Sequence, residues 1–184
     1  MRSVERMVDE HRTIKRMAGI IEALAGRLDR GLEVPARMLG DVMDFSEHFT
    51  SNCHHAKEEH HLFPLLAHHG LTPDSSPIAA LREQHEANHA YLREMHGALA
   101  RLRAGDPHAP GAFAASARDY VRMLREHIRI EDHYFQEIAS VLTPDEDAQL
   151  FERMAAIDRA CARAADMERF NAMVAEYEAL IARW

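Results

Sequence analysis

The sequence predicts an all-α fold: an antiparallel, up-down-up-down four-helix bundle with additional C-terminal helices. Three observations point there. Ala, Leu, Glu, Arg and Met dominate, while Val, Ile and the aromatics are too scattered to give alternating strands. Apolar side chains recur at alternating spacings of four and three, the seam of a helix packed in a bundle. Gly- and Pro-bearing breaks near 31–35, 70–77 and 105–111 then cut the first three-quarters of the chain into four stretches.

Each stretch justifies itself locally. The first helix starts near Ser3 and runs to about Arg30, with Met7, His11, Ile14, Ala18, Ile21, Ala25 and Leu28 as its seam; Gly31 and Pro35 stop it. The second runs from about Ala36 towards Gly70, with Pro73 beyond, and Pro64 should bend or end its regular part by removing a hydrogen bond. Ser76-Pro77 is a cap followed by proline at the first helical position, so the third helix begins there and continues to about Ala104. The fourth follows the loop at 105–111 with the seam Phe113, Ala117, Tyr120, Leu124, His127, Glu131, Tyr134, Ile138 and Val141. Thr143-Pro-Asp-Glu146 is a capping box that opens a C-terminal helical region. The expected division is a bundle over 1–142 and an extension over 143–184, docked on the bundle or on a second subunit, so that a homodimer is one expected state.

Composition limits the function. With 184 residues and 47% hydrophobic content, the chain can bury one sizeable core. A formal charge of −8 with no basic cluster argues against nucleic acid as a partner. No apolar run is long enough to span a bilayer, and the N-terminus lacks a signal-like core, so a cytoplasmic protein that does not engage membranes is expected. Cys53 and Cys161 alone make no disulfide framework, which fits a reducing compartment; a buried, inert thiol is the expectation for Cys53.

The informative stretch is 53–66, Cys-His-His-Ala-Lys-Glu-Glu-His-His-Leu-Phe-Pro-Leu-Leu. On an α-helix four residues advance by about 400°, so His54 and Glu58 point the same way and can offer nitrogen and oxygen to one ion. His127 followed by Glu131-Asp132-His133 echoes it. In an up-down-up-down bundle the start of the first helix, the end of the second, the start of the third and the end of the fourth meet at one end. His11, His54, Glu58, His85, His89, His127 and Glu131 then share one depth. Charged carboxylates on a seam are costly unless paired or coordinated. Imidazole with carboxylate suits iron, zinc, copper or manganese, and five histidines with two carboxylates exceed one tetrahedral zinc, so a two-metal centre is expected, with room left for a small molecule.

His-His-x-Lys-Glu-Glu-x-x-Leu-Phe-Pro at 54–64, with His127-Ile-x-x-Glu131-Asp132 and an early Asp-Glu-His11, resembles the hemerythrin-like, HHE cation-binding family over residues from about 5 to 142. The resemblance implies an antiparallel bundle with a non-haem di-iron centre of two iron ions joined by an oxo or hydroxo bridge. It implies ligand roles for the same seven residues. Hemerythrins proper place the last carboxylate five residues after its histidine, which would be Asp132, whereas the iron–sulfur repair branch uses plus four, which is Glu131; the seam favours Glu131. The function so implied is binding of dioxygen or a related small oxidant for carriage, storage or sensing. The alternative is an enzyme acting on peroxide or nitric oxide, or an iron donor for iron–sulfur cluster repair.

Other readings compete. His55, Glu59, His60, His61, His68 and His69 are ligands by type, but one helix face cannot present them all; His61 and Glu47, on the His54 face, are the expected supports for a ligand imidazole. His85-Glu-Ala-Asn-His89 matches the His-Glu-x-x-His of zinc proteases, yet Leu92 and Met95 stand where a third-ligand pattern wants Gly and His. Glu58-x-x-His61 and Glu86-x-x-His89 match the ferritin-like string, but Glu131 is followed at plus three by Tyr134. Tyr120 and Tyr134 are expected to pack in the core.

Overall fold

The computed structural model describes residues 1–71, 77–164 and 167–184, and among them every regular element is a helix. In chain order these are α1 (Arg2–Asp29), α2 (Ala36–Phe45), π1 (Ser46–His55), π2 (Glu58–Leu62), α3 (Phe63–His68), α4 (Ile78–Arg103), α5 (Ala109–Val141), α6 (Pro144–Ala164) and α7 (Met167–Ile181). Residues 36–68 form one continuous helical stretch whose middle is wound as π-helix. In that winding each N–H reaches back five residues rather than four, so the angular step per residue is smaller than in an α-helix. Ser51 follows it, its hydroxyl donating to the Ser46 carbonyl at 3.1 Å.

The breaks act largely as expected. Gly31, Gly70 and Gly105 take positive φ of 68°, 84° and 83°, and the last two close helical segments where an L side chain would be strained. Pro64 falls in the first turn of α3, where π2 ends, and the helical stretch continues through it. The loop expected over 105–111 is shorter than that, because Pro110 sits in the first turn of α5 and helix begins at Ala109. The Ser76 cap and the Pro73 stop lie outside the described residues. The capping box forms: Thr143 donates to Glu146 through its N–H and its hydroxyl, both at 2.8 Å, and Glu146 N–H returns to Thr143 Oγ1 at 3.3 Å.

Two apolar clusters fill the interior. The larger gathers Ile14, Phe49, Leu92, Leu124 and Ile128 with most of the bundle; the smaller gathers Met7, Leu62, Leu81, Tyr134 and Phe135. On each helix the polar seam residues fall between the two: His11 between Met7 and Ile14, His85 between Leu81 and Leu92, His127 and Glu131 between Leu124 and Tyr134. The centre is therefore a polar layer held between two dry ones.

The C-terminal helices are built into this body. Phe170, Met173, Val174 and Tyr177 belong to the larger cluster, and Asp147 of α6 accepts hydrogen bonds from the Ser3 N–H at 3.1 Å and the Ser3 hydroxyl. Cys53 and Cys161, expected as separate thiols, are joined in a disulfide across 108 residues that ties π1 to α6. Their pairing removes the cysteine argument for a reducing compartment. No helix among the described residues is long and apolar enough to cross a membrane.

Candidate metal centre

Seven buried donors converge from four helical stretches: His11 of α1, His54 and His55 of π1, Glu58 of π2, His85 of α4, and His127 and Glu131 of α5. They make two overlapping sets. One is His11, His54, Glu58 and Glu131; the other is His55, Glu58, His85 and His127; within each the donor atoms lie within 4.8 Å of one another. Glu58 belongs to both, its two oxygens 3.5 Å from His54 Nε2 and 3.3 Å from His85 Nε2. Glu131 spans the same divide, 3.1 Å from His11 Nε2 and 3.2 Å from His127 Nε2. Each carboxylate thus turns one oxygen to each half.

Six of the seven residues expected from the sequence meet here. His89 does not: it is exposed, one helical turn outward from His85. The fifth imidazole is His55, which α-helical geometry had assigned to another face. The π winding explains the difference, since a smaller step per residue lets the adjacent His54 and His55 both face inward with Glu58 between them. Asp132 stands behind Glu131 and binds the far side of His11. His61 and Glu47 support no ligand; Glu47 pairs with His96 at 2.6 Å on the surface. The protease string is broken, with His85 buried in the centre and His89 outside it, and Glu86, also exposed, breaks the ferritin-like one.

The layer carries many buried polar atoms without partners. Both oxygens of Glu58 and of Glu131, Nε2 of His85 and of His127, and both nitrogens of His55 are buried without a hydrogen-bond partner. Buried polar groups in this state cost several kcal/mol, and carboxylate oxygens and imidazole nitrogens gathered about two points are what a pair of cations would satisfy. Imidazole nitrogen with carboxylate oxygen is a donor set for iron, manganese, zinc or copper.

Four of the five imidazoles are pinned from behind through Nδ1. His11 meets Asp132 at 2.7 Å, and Asp132 meets Lys15 at 2.5 Å. His54 meets Glu10 at 2.9 Å; Glu10 is paired with the buried Lys57, which also holds Asp158 of α6 at 2.7 Å. His85 meets Glu59 at 2.8 Å, and His127 meets the Gln84 side-chain oxygen at 3.0 Å. A partner on the far nitrogen sets the tautomer and the ring orientation, leaving Nε2 for an ion. His55 alone lacks one, its ring stacked on His85 at 3.9 Å.

The charges follow from this arrangement. Burial works against protonation of His11, but Asp132 and Glu131 prevail and raise it to about 9. His85 goes the same way, to about 9, against burial and through Glu58 and Glu59. His55 is held well below the ordinary imidazole range, first by burial and then by neighbouring His85 and His127. Burial would push the Glu10 carboxyl up, yet its hydrogen bond to His54 and the charge of Lys57 bring it down to about 2.

One side of the layer is open. A groove of about 680 Å³ has His55 and His85 in its lining. The other side is dry: the His11 ring stacks on Phe135 at 5.4 Å, beside the smaller apolar cluster.

Of the residues that build this layer, the sequence points to His55 only as a ligand by type on another face, and gives no role to Glu10, Lys57, Gln84 or Asp158. Lys57 and Glu10 were visible as the Lys of the His-His-x-Lys-Glu-Glu string and the Glu before His11, two charges that had to be paired if their helices were buried. Asp158 had no local signal.

No match was found among curated proteins or among solved structures. The family model for the hemerythrin HHE cation binding domain matches residues 2–139, a span that contains all seven converging donors. The chain belongs to the hemerythrin HHE cation-binding family.

Proposed function

We propose that this chain is a non-haem di-iron protein that binds dioxygen or a related small oxidant, for carriage, storage or sensing. The observation that carries the reading is the pair of donor sets sharing Glu58. With Glu131 also spanning the divide, one half would be held by His11, His54 and two carboxylate oxygens, the other by His55, His85, His127 and two carboxylate oxygens. Two reduced irons would supply electrons to a small oxidant. The residues of the chain do the rest. The His11–His54 half has one protein donor fewer, so the exogenous molecule fits there, and Phe135 and Met7 keep water from it. Asp132, Glu10, Glu59 and Gln84 hold four rings in place, so little reorganisation accompanies binding.

The placement of donors early in α1 and α4 and late in the 36–68 stretch and α5 supports the up-down-up-down order, with 1–142 as the metal-bearing bundle and 143–184 as an extension that braces it. One observation favours the second reading. The polar groove reaches His55 and His85, which would let water and protons approach the other half and suits turnover of peroxide or nitric oxide, or release of iron for cluster repair. The optical spectrum of the reduced, iron-loaded chain on exposure to O2 separates them. A persistent charge-transfer band that reverses when O2 is removed supports binding; immediate passage to the oxidised spectrum supports turnover.

A further inference from the structure

The groove over His55 holds more donors than the centre uses. Beyond His55 and His85 its lining includes Glu59, Glu83, Glu86 and His89, with Arg82 as the one lysine or arginine. Arg82 is already engaged, 3.4 Å from Glu59, which itself holds His85. Among the described residues Glu83, Glu86 and His89 make no hydrogen bond or ion pair. The groove meets a smaller hollow, and Ser51, Asn52, Glu86 and His89 line both, so Glu86 and His89 stand at the junction.

At the floor is His55, 4% exposed, with neither ring nitrogen partnered. Each of the other four imidazoles would have to break a hydrogen bond to swing; His55 would not. His89 follows His85 by four residues on α4, so the two lie on one face about 6 Å apart along the axis. The steps from solvent to centre are thus Glu86 and His89, then His55 beside His85, then Glu58. The other hollow near the centre offers no such path. It lies mainly against α1 and α6 and reaches Glu10 rather than any of the seven donors.

We propose that the groove over His55 is the loading route of the centre, in which Glu86 and His89 capture a hydrated divalent metal ion and His55 passes it inward. The inference rests on the metal-binding reading above. It gives His89 a role outside the centre and accounts for the one imidazole left without a positioning partner. A carboxylate and an imidazole at an exposed rim bind a divalent ion weakly, which is what a transfer point requires; a tight site would hold the ion there. The negative rim raises the local concentration of cations, an effect that falls with salt.

The test is the rate of anaerobic Co²⁺ uptake by the metal-free full chain, followed by cobalt absorption, with final stoichiometry from elemental analysis. Glu86→Gln/His89→Ala changes only exposed side chains. It is expected to slow loading about tenfold at low salt, within the range of electrostatic steering, and to reach the same final metal content as the parent. Glu152→Gln, an equal charge change at an exposed position of α6, is expected to leave the rate unchanged. Equal rates for the parent and the double variant would overturn the loading route while the metal centre stands. A lower final metal content would make His89 or Glu86 a ligand of the centre and overturn it as well, and an equal slowing by Glu152→Gln would reduce the effect to net charge. A parent chain that takes up no cobalt or iron would remove the metal-binding reading itself.

Discussion

The two halves of the centre share Glu58 and Glu131 but are built differently. Behind His11 and His54 stands a chain of charges, Lys15–Asp132 on one side and Glu10–Lys57–Asp158 on the other, with Lys57 only 1% exposed. Behind His127 is a neutral amide, behind His85 is Glu59 with Arg82, and behind His55 there is nothing. In the first half both rings are pinned and there is one donor fewer; the second has more donors, one unpinned ring and an opening to the groove. The contrast separates two demands that one rigid pocket would meet poorly. A ligand-binding half gains from preorganisation, whereas a half that must admit metal needs at least one ring free to move.

Substitutions sharpen this contrast in order of effect. Glu58→Ala removes an oxygen from both halves, and metal content by elemental analysis should fall from about two ions per chain to near zero; retention of either ion would break the shared-ligand assignment. His55→Ala should cost only the ion of the open half, leaving about one, while His89→Ala keeps both at equilibrium. The reverse result would restore the ligand set that regular α-helical spacing implies. Lys57→Met removes one of the two cations that Glu10 and Asp158 share and leaves them Arg6. Chemical denaturation should show a loss of about 3 kcal/mol, the low end for a broken buried pair because both carboxylates keep some solvent contact. Metal affinity in the His54 half should drop about 10–100-fold.

Protons provide a subtler probe. Without metal, His11 and His85 titrate near 9 rather than 6.5, so both carry protons at neutral pH and an incoming ion must displace them. Metal affinity should therefore rise with pH and level off above about 9. The metal-free fold has the opposite sign. The contribution of the two raised imidazoles is fully present below about 6.5 and is lost as pH rises through about 9. The melting temperature of the metal-free chain should thus fall across that window while that of the loaded chain, whose two rings bind no proton, stays level; a parallel fall would show that the two rings do not bind the ion. The smallest effect on metal is expected from Cys53→Ser/Cys161→Ser. Closure of the 108-residue span should be worth about 2–4 kcal/mol in denaturation while metal content stays unchanged. Loss of metal would mean that α6 positions His54 more strongly than the Lys57 contacts suggest.

Much of the fold was legible because it depends on local signals: seam spacing, the Thr143–Glu146 box, and glycines at helix ends. Six donors were legible because their helices are regular or because one turn separates the paired residues. His55 was not. Its orientation depends on the π winding of 46–55, and a sequence read with α-helical periodicity turns the residue away. His89 was misplaced for the complementary reason: four residues after a ligand is the right face but one turn too far out. Asp158 and the Cys53–Cys161 bond were invisible because they depend on where α6 docks, a contact more than 100 residues distant in sequence for both. The chemistry of a short motif is local, while the groups that tune it are brought by tertiary packing.

The most direct test of the account is anomalous diffraction at the iron edge from crystals of the iron-loaded full chain. Two peaks are expected about 3.5–4 Å apart, the usual spacing of a two-metal site. One should lie against His11 and His54, the other against His55, His85 and His127, with Glu58 between them and His89 bound to neither. A single peak, or a peak coordinated by His89 in place of His55, would contradict it.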